Sequence, residues 1–332
     1  MSIWRKQGGL IGKPDGGNVY PSDGVWDVTE TYTDNNLSPV GEVIFSTVQT
    51  DYNWTVPDNV GGTVSIICVG AGGGGAASTS SNNGNAGGGG GGGGLHWINA
   101  ISVTAGETLL VTIGGGGSAG TAAGQNNATD GGLSNVKRST QSLAQATGGD
   151  AGVYNNVTSA DRGFGGVPAT GLGGGGGSGG PGRGGSSGNG GSGGGGAGGY
   201  SGAGGRGGYW NIVPQAGLGG GGGGGGAVNG FTGQITTGGG GVQIFGEGAN
   251  GAQASSNNTS SQTSTRGFQG SPSGTSTNTG VYGGGGTGSE DDSGNRAGPG
   301  SNGVVRIIWG GGRSFPSTNT DQSSSNGNIT VI

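Results

Sequence analysis

The chain has 332 residues, 98 of them glycine, with 27% hydrophobic and 9% charged side chains and a formal net charge of −5. Glycine near one third means collagen only when it recurs at every third position with abundant proline; here it comes in unbroken blocks beside only 10 prolines, so collagen is excluded. One cysteine and one histidine exclude an internal disulfide framework and a multi-ligand Cys/His metal site, and the acidic balance argues against a nucleic-acid footprint.

The low apolar fraction leaves room for one modest core. No run of eighteen apolar residues exists and the start, MSIWRKQGGL, lacks a signal-peptide core, so the expectation is a cytoplasmically made protein that does not insert in a membrane.

Residues 1–40 carry Trp4, Tyr20, Trp26 and Tyr32 among turn signals such as Pro14-Asp15-Gly16-Gly17. They read as a small irregular module that either docks on a partner or packs on its own chain, with Trp4, Trp26 and Tyr32 as candidate anchors. From Gly41 the pattern turns to strands: GEVIFSTVQT, then DYNWTVP closed by Pro57, then Thr63 to Val69 running straight into glycines. Trp97 to Val103 and Thr108 to Ile113 repeat the logic around the turn Thr104-Ala105-Gly106-Glu107, and the second again meets glycines. Leu133 to Ala146 predicts a weak hairpin, Val242 to Phe245 a short strand, and Val304 to Trp309 a late strand that returns to the early sheet.

Between these lie the glycine blocks, of which Gly87–Gly94 and Gly219–Gly226 are eight residues each. Bare backbone has no side chain to bury, and ordering it costs more entropy than any other residue, so such segments ordinarily serve as flexible linkers. The alternative is a bundle of polyproline-II-type helices, with three residues per turn and every N–H and C=O pointing outward to a neighbour. Linkers occur once or twice between domains, whereas these blocks recur along most of the chain, which favours stacked units. In a bundle, Gly222→Val destabilises strongly, with Ser192→Ala as a benign control. Loops between blocks carry bulky residues, and Tyr154, Tyr200, Tyr209, Trp210, Phe268 and Tyr282 are candidate contacts for a binding partner.

Motifs for chemistry are weak. His96 reads as a strand or packing residue, because no nucleophile elbow accompanies it. Cys68 lies among buried-type residues. Gly12-Lys13 is followed by Pro14 and makes no phosphate loop. Glu290-Asp291-Asp292 lacks the other ligands of a calcium loop. No catalytic residue, metal or cofactor is expected, and the isolated Arg183-Gly and Arg206-Gly steps are too few for an RNA-binding segment.

The order Trp54-Thr55-Val56-Pro57, Thr63 to Gly70 with glycines, Ile101 to Thr108 and Val111-Thr112-Ile113-Gly114 resembles the glycine-rich domain of bacteriophage tail and appendage proteins. The closing Gly303 to Pro316 resembles the end of such domains in marine cyanophage virion proteins. The resemblance covers roughly residues 41–316. It implies an all-β protein with almost no α-helix, a β-sandwich fused to a polyglycine-II bundle inserted between its strands. The division it suggests is 1–40 attachment module, 41–118 sandwich strands, 119–302 bundle with variable loops, and 303–332 returning strand and tail. It also implies a tail-fibre adhesin of the virion whose partners are other virion proteins, a host cell-surface glycan or outer-membrane protein, and further copies of itself as a trimer. A purely architectural virion part, a fibre cap, collar or decoration protein, is the alternative.

Overall fold

A computed structural model describes residues 40–77, 87–121, 128–154, 163–169, 171–183, 191–209, 213–226, 238–254, 282–289, 297–310, 312–317 and 329–331. Among them there is no helix. Nine strands form two sheets: β1 (Gly41–Phe45), β2 (Gln49–Thr55), β3 (Thr63–Val69), β4 (Leu95–Ser102), β5 (Thr108–Ile113), β6 (Ser134–Arg138), β7 (Gln141–Ala146), β8 (Val304–Trp309) and β9 (Ile329–Val331).

The first sheet has the order β4-β3-β8-β1-β9 and the second β2-β5-β6-β7. All neighbours are antiparallel except β9, which pairs in parallel with β1. The late strand does return: β8 sits between β1 and β3, pairing Gly41 with Trp309 on one side and Val69 with Val304 on the other. The expected hairpin is β6–β7, and it completes the second sheet. β3 and β5 have the bounds the alternation predicts. Three strand expectations shift: the run from Gly41 ends at Phe45, the run from Asp51 begins at Gln49 and ends at Thr55, and the run from Trp97 ends at Ser102 and begins at Leu95 because its pairing to β3 starts opposite Val69. Val242 to Phe245 is not a strand. Only Val242 bridges, to Tyr282, because the carbonyl of Ile244 is taken by the guanidinium of Arg306 at 2.8 Å.

The core also departs from the single modest core of the sequence reading. β1, β3 and β8 are buried on both faces, as unbroken apolar runs require. One face, with Val43, Phe45, Ile66, Cys68, Val305 and Ile307, packs on Trp54, Leu109, Val111 and Val136 of the second sheet. The other, with Ile44, Ile67, Val69, Val304 and Ile308, packs on Tyr200, Ile244 and Phe315 from the glycine region and the C-terminal segment. Composition alone undercounts this core because the middle sheet uses both sides of every strand.

That second face also buries charge. Glu42 lies between Arg306, whose Nη2 donates to its Oε2 at 2.6 Å, and Arg313, whose Nη2 donates to the same oxygen. Arg306 also stacks over the Phe245 ring at 4.5 Å. Residues 313–316 then strap sandwich to glycine region: Asn99 of β4 both donates to the Phe315 carbonyl (2.7 Å) and accepts from its N–H (2.9 Å), the Phe315 ring stacks on Tyr200, and Glu247 N–H donates to the Pro316 carbonyl.

The glycine runs are ordered by lateral hydrogen bonds with a period of three. In the run 87–94, Gly87, Gly90 and Gly93 donate to Ser289, Gly286 and Gly283, while Gly91 and Gly94 donate to Asp150 and Thr147, and Gly89 and Gly92 to Arg183 and Gly180. Its carbonyls accept from three more segments, through Gly73, Gly195 and Gly166. Six neighbours therefore surround one run, and 70–76 and 192–198 are enclosed in the same way. Peripheral segments bury only every third residue, at 146, 149 and 152, at 163 and 166, and at 214, 217 and 220. Glycine is required inside because a Cβ on Gly73 would overlap the Asp150 carbonyl, and one on Gly222 the carbonyl of Gly240.

Candidate binding end of the glycine lattice

Each sheet feeds the lattice from the same side. β3 leads into 70–76, β5 into 114–120 and β7 into 147–152, so strand followed by glycine is the rule expected from sequence. Hydrogen-bond register then fixes which turns lie at which end. Gly70 and Gly94 are level beside the sandwich, whereas Ala76 and Gly88 are level at the opposite end. On that scale the described residues that flank 78–86, 122–127, 155–162, 184–190, 210–212, 227–237 and 290–296 all stand at the end remote from the sandwich. In sequence those intervals are rich in Asn, Ser and Thr, as in Ser78-Thr79-Ser80-Ser81-Asn82-Asn83.

The candidate contact residues divide between the two ends. Tyr154, bridged to Gly87, and Tyr209, next to the Gly193–Gly208 bond, stand at the remote end. Tyr154 is half-buried and Tyr209 is buried. Tyr200 and Tyr282 are at the sandwich end, Tyr200 buried and Tyr282 half-buried. Tyr200 is 1% exposed: its hydroxyl donates to the Gln243 carbonyl and accepts from Gly246 N–H, both at 3.0 Å, and its own carbonyl accepts from Trp97 Nε1. Burial pushes the Tyr200 phenol pKa up, and that of Tyr282 as well. An aromatic in a glycine-rich turn looks like an exposed tip in sequence, but here it fills the seam between lattice and sheet. Trp210, Phe268, Trp4, Trp26 and Tyr32 lie outside the described residues, as does Glu290-Asp291-Asp292.

The single histidine and the single cysteine are both buried. His96 on β4 is 1% exposed, with Nε2 at 2.9 Å from the Gly173 carbonyl and Nδ1 facing the Gln145 N–H. A bond to each side makes it a neutral Nε2–H tautomer, and burial holds its pKa below the ordinary value. Burial likewise raises the Cys68 thiol. Among the described residues no group of three His, Cys, Asp or Glu could hold a metal, and no helix is long and apolar enough to cross a membrane.

Ser192 was missed as a special position. Its hydroxyl, fully buried, accepts from Gly89 N–H at 2.9 Å and lies within bonding distance of the Gly87 and Arg183 carbonyls. It plugs a lattice site, so it is no benign control. The signal that could have marked the periphery is glycine or proline every third residue beside polar ones, as in Pro214-Gln215-Ala216-Gly217.

Comparison with known proteins places this architecture. A family model described as a glycine-rich domain matches residues 46–310. No curated protein matches the chain.

Proposed function

Because the chain belongs to the glycine-rich domain family over residues 46–310, we propose that it is a virion appendage protein, a tail-fibre-type adhesin that holds binding loops on a rigid lattice. The observation that carries this reading is that the described residues flanking these seven intervals stand at one end of the lattice, remote from the sandwich. Rigid scaffolds that present variable loops are how recognition surfaces are commonly built. Polarity of the described residues supports it: β1 starts at Gly41 opposite Trp309, the end of β8 away from the lattice and so opposite the residues that flank the intervals. That pole is suited to attachment, the other to a host cell-surface glycan or outer-membrane protein. The reading is binding without turnover, so the protein should release no reducing ends from host polysaccharide.

The finer structure of the lattice belongs to the same proposal. The three-residue hydrogen-bond period and six neighbours per run are what polyglycine-II helices give, with each N–H and C=O directed to a different neighbour. Backbone couplings that report φ near −75° in 87–94 support it, and values typical of strands overturn it.

Particles treated with antibody fragments against the remote end should adsorb poorly to host cells, while fragments against the second sheet leave adsorption intact. Unchanged adsorption with the remote end covered overturns the adhesin reading in favour of an architectural virion part.

A further inference from the structure

Among the described residues, β1 and β8 are rooted at opposite ends. β1 starts at Gly41, level with Trp309 at the end away from the lattice, and finishes at Phe45, level with Val305. The segment leading into β8 is bonded into the lattice through the N–H groups of Gly298, Gly300, Ser301 and Gly303, and on its other side β8 pairs with β3, which runs into 70–76. A pull on the start of β1 against a pull on the lattice therefore acts along the β1–β8 ladder in opposite directions.

Direction decides the strength of such a ladder. Antiparallel hydrogen bonds lie across the strands, so a pull along β1 strains all of them together, whereas a pull across the sheet opens them one pair at a time. Every residue of β1 is paired to β8 in unbroken register and every one is buried. Val43 and Phe45 point into one core and Ile44 into the other, so a slip by one residue would turn each side chain to the wrong face. The point where load enters carries further ties. Arg313 Nη1 donates to the Gly41 carbonyl at 2.8 Å, and Glu42 is held by Arg306 and Arg313. Arg306 in turn donates to the Ile244 carbonyl, and residues 313–316 are fixed to Tyr200 and Glu247, so both arginines connect the start of β1 to the glycine region.

We infer that β1, together with β8 and the Glu42 ion group, is a shear clamp that carries tension between the start of the sandwich and the remote end of the lattice. Its use rests on the proposed adhesin role, in which a particle pulls at one pole and a cell surface at the other. The clamp itself is a property of the isolated chain.

Single-molecule pulling on the full chain tests it. Handles on Val40→Cys and Thr121→Cys load β1 lengthwise, because Gly120 bonds Gly75 near the remote end. Handles on Val40→Cys and Ser102→Cys load it crosswise, because Ser102 ends β4, on the far side of β8 and β3 and level with Thr63. Cys68 is buried and takes no handle. At one loading rate the lengthwise pair should rupture at a force about twofold or more above the crosswise pair. Forced unfolding reports the unfolding rate, so the melting temperature serves only to show that each variant is folded. Phe45→Leu alters the end of β1 that opens last under a crosswise pull, so it should lower the lengthwise force and leave the crosswise force unchanged. Equal forces in the two directions, a Phe45→Leu chain that loses no lengthwise force, or one that loses as much crosswise would each overturn the inference. None of these outcomes bears on adsorption through the remote end, so the two readings fail separately.

Discussion

A single methyl group distinguishes an ordered glycine lattice from a linker. Gly222 leaves no room for a Cβ beside the Gly240 carbonyl, and parting the runs strands buried N–H and C=O groups at about 1–3 kcal/mol each. Gly222→Val should therefore lower the melting temperature sharply and expose the chain to protease. The proper control is Gly115→Ala, whose Cβ would meet only the Val48 side chain at ordinary contact distance, 3.5 Å. A Gly222→Val protein as stable as Gly115→Ala would refute lateral bonding. His96 gives a second residue-scale expectation. Its pKa in the folded state lies below the unfolded 6.5, so below that pH the unfolded chain binds more protons and stability falls as pH falls. Melting temperature measured from pH 7.5 to 5 should show this decline, and His96→Gln should flatten it.

At the scale of elements, β1 and β8 are tied by a buried ionic group that their sequences advertise only as one acidic and one basic residue inside apolar runs. Glu42 is shared by Arg306 and Arg313, so Glu42→Gln leaves two cations against a neutral amide. Breaking such a pair from one side costs about 3–5 kcal/mol, and denaturant unfolding should register a loss of that order. A loss below 1 kcal/mol would mean the cluster is solvated. The strap is the other inter-element device: Phe315 packs on Tyr200 of the lattice while its backbone is held by Asn99 of the sheet. Phe315→Ala should cost about 3–5 kcal/mol, seen as loss of hydrogen-exchange protection at residues 199–203 and 242–246 before the second sheet opens.

Among the described residues the middle sheet is shared by both core clusters, so sandwich and lattice should unfold as one unit. One face of β3 and β8 is the floor of the sandwich and the other is the seat of the lattice, so neither half keeps its core alone. Heat should produce a single unfolding transition by calorimetry. Two transitions would mean that the seam around Tyr200, Ile244 and Phe315 is not cooperative with the sheets. Under the proposed virion role, deletion of residues 1–40, which precede a strand that starts away from the lattice, should leave that transition in place while abolishing assembly into particles. A truncated chain that still assembles would move the attachment to the C-terminal segment.

Sequence by itself determined some of the strands: alternation and β-branched runs fix β3 and β5 to the residue, and the return of β8 follows from an apolar strand that needs partners on both faces, whereas β9 carried no signal and Val242 to Phe245 carried a misleading one. It also determined that strands lead into glycine and that glycine, being free of Cβ, can be packed on all sides. Tertiary structure alone decided where the turns fall. Whether Tyr200 is a tip or a seam depends on the register of segments separated by about a hundred residues, and local pattern carries no register between bare backbones. The same holds for Ser192 and for the ion group at Glu42: each arises from distant segments brought level by hydrogen bonds whose donors and acceptors are identical at every residue.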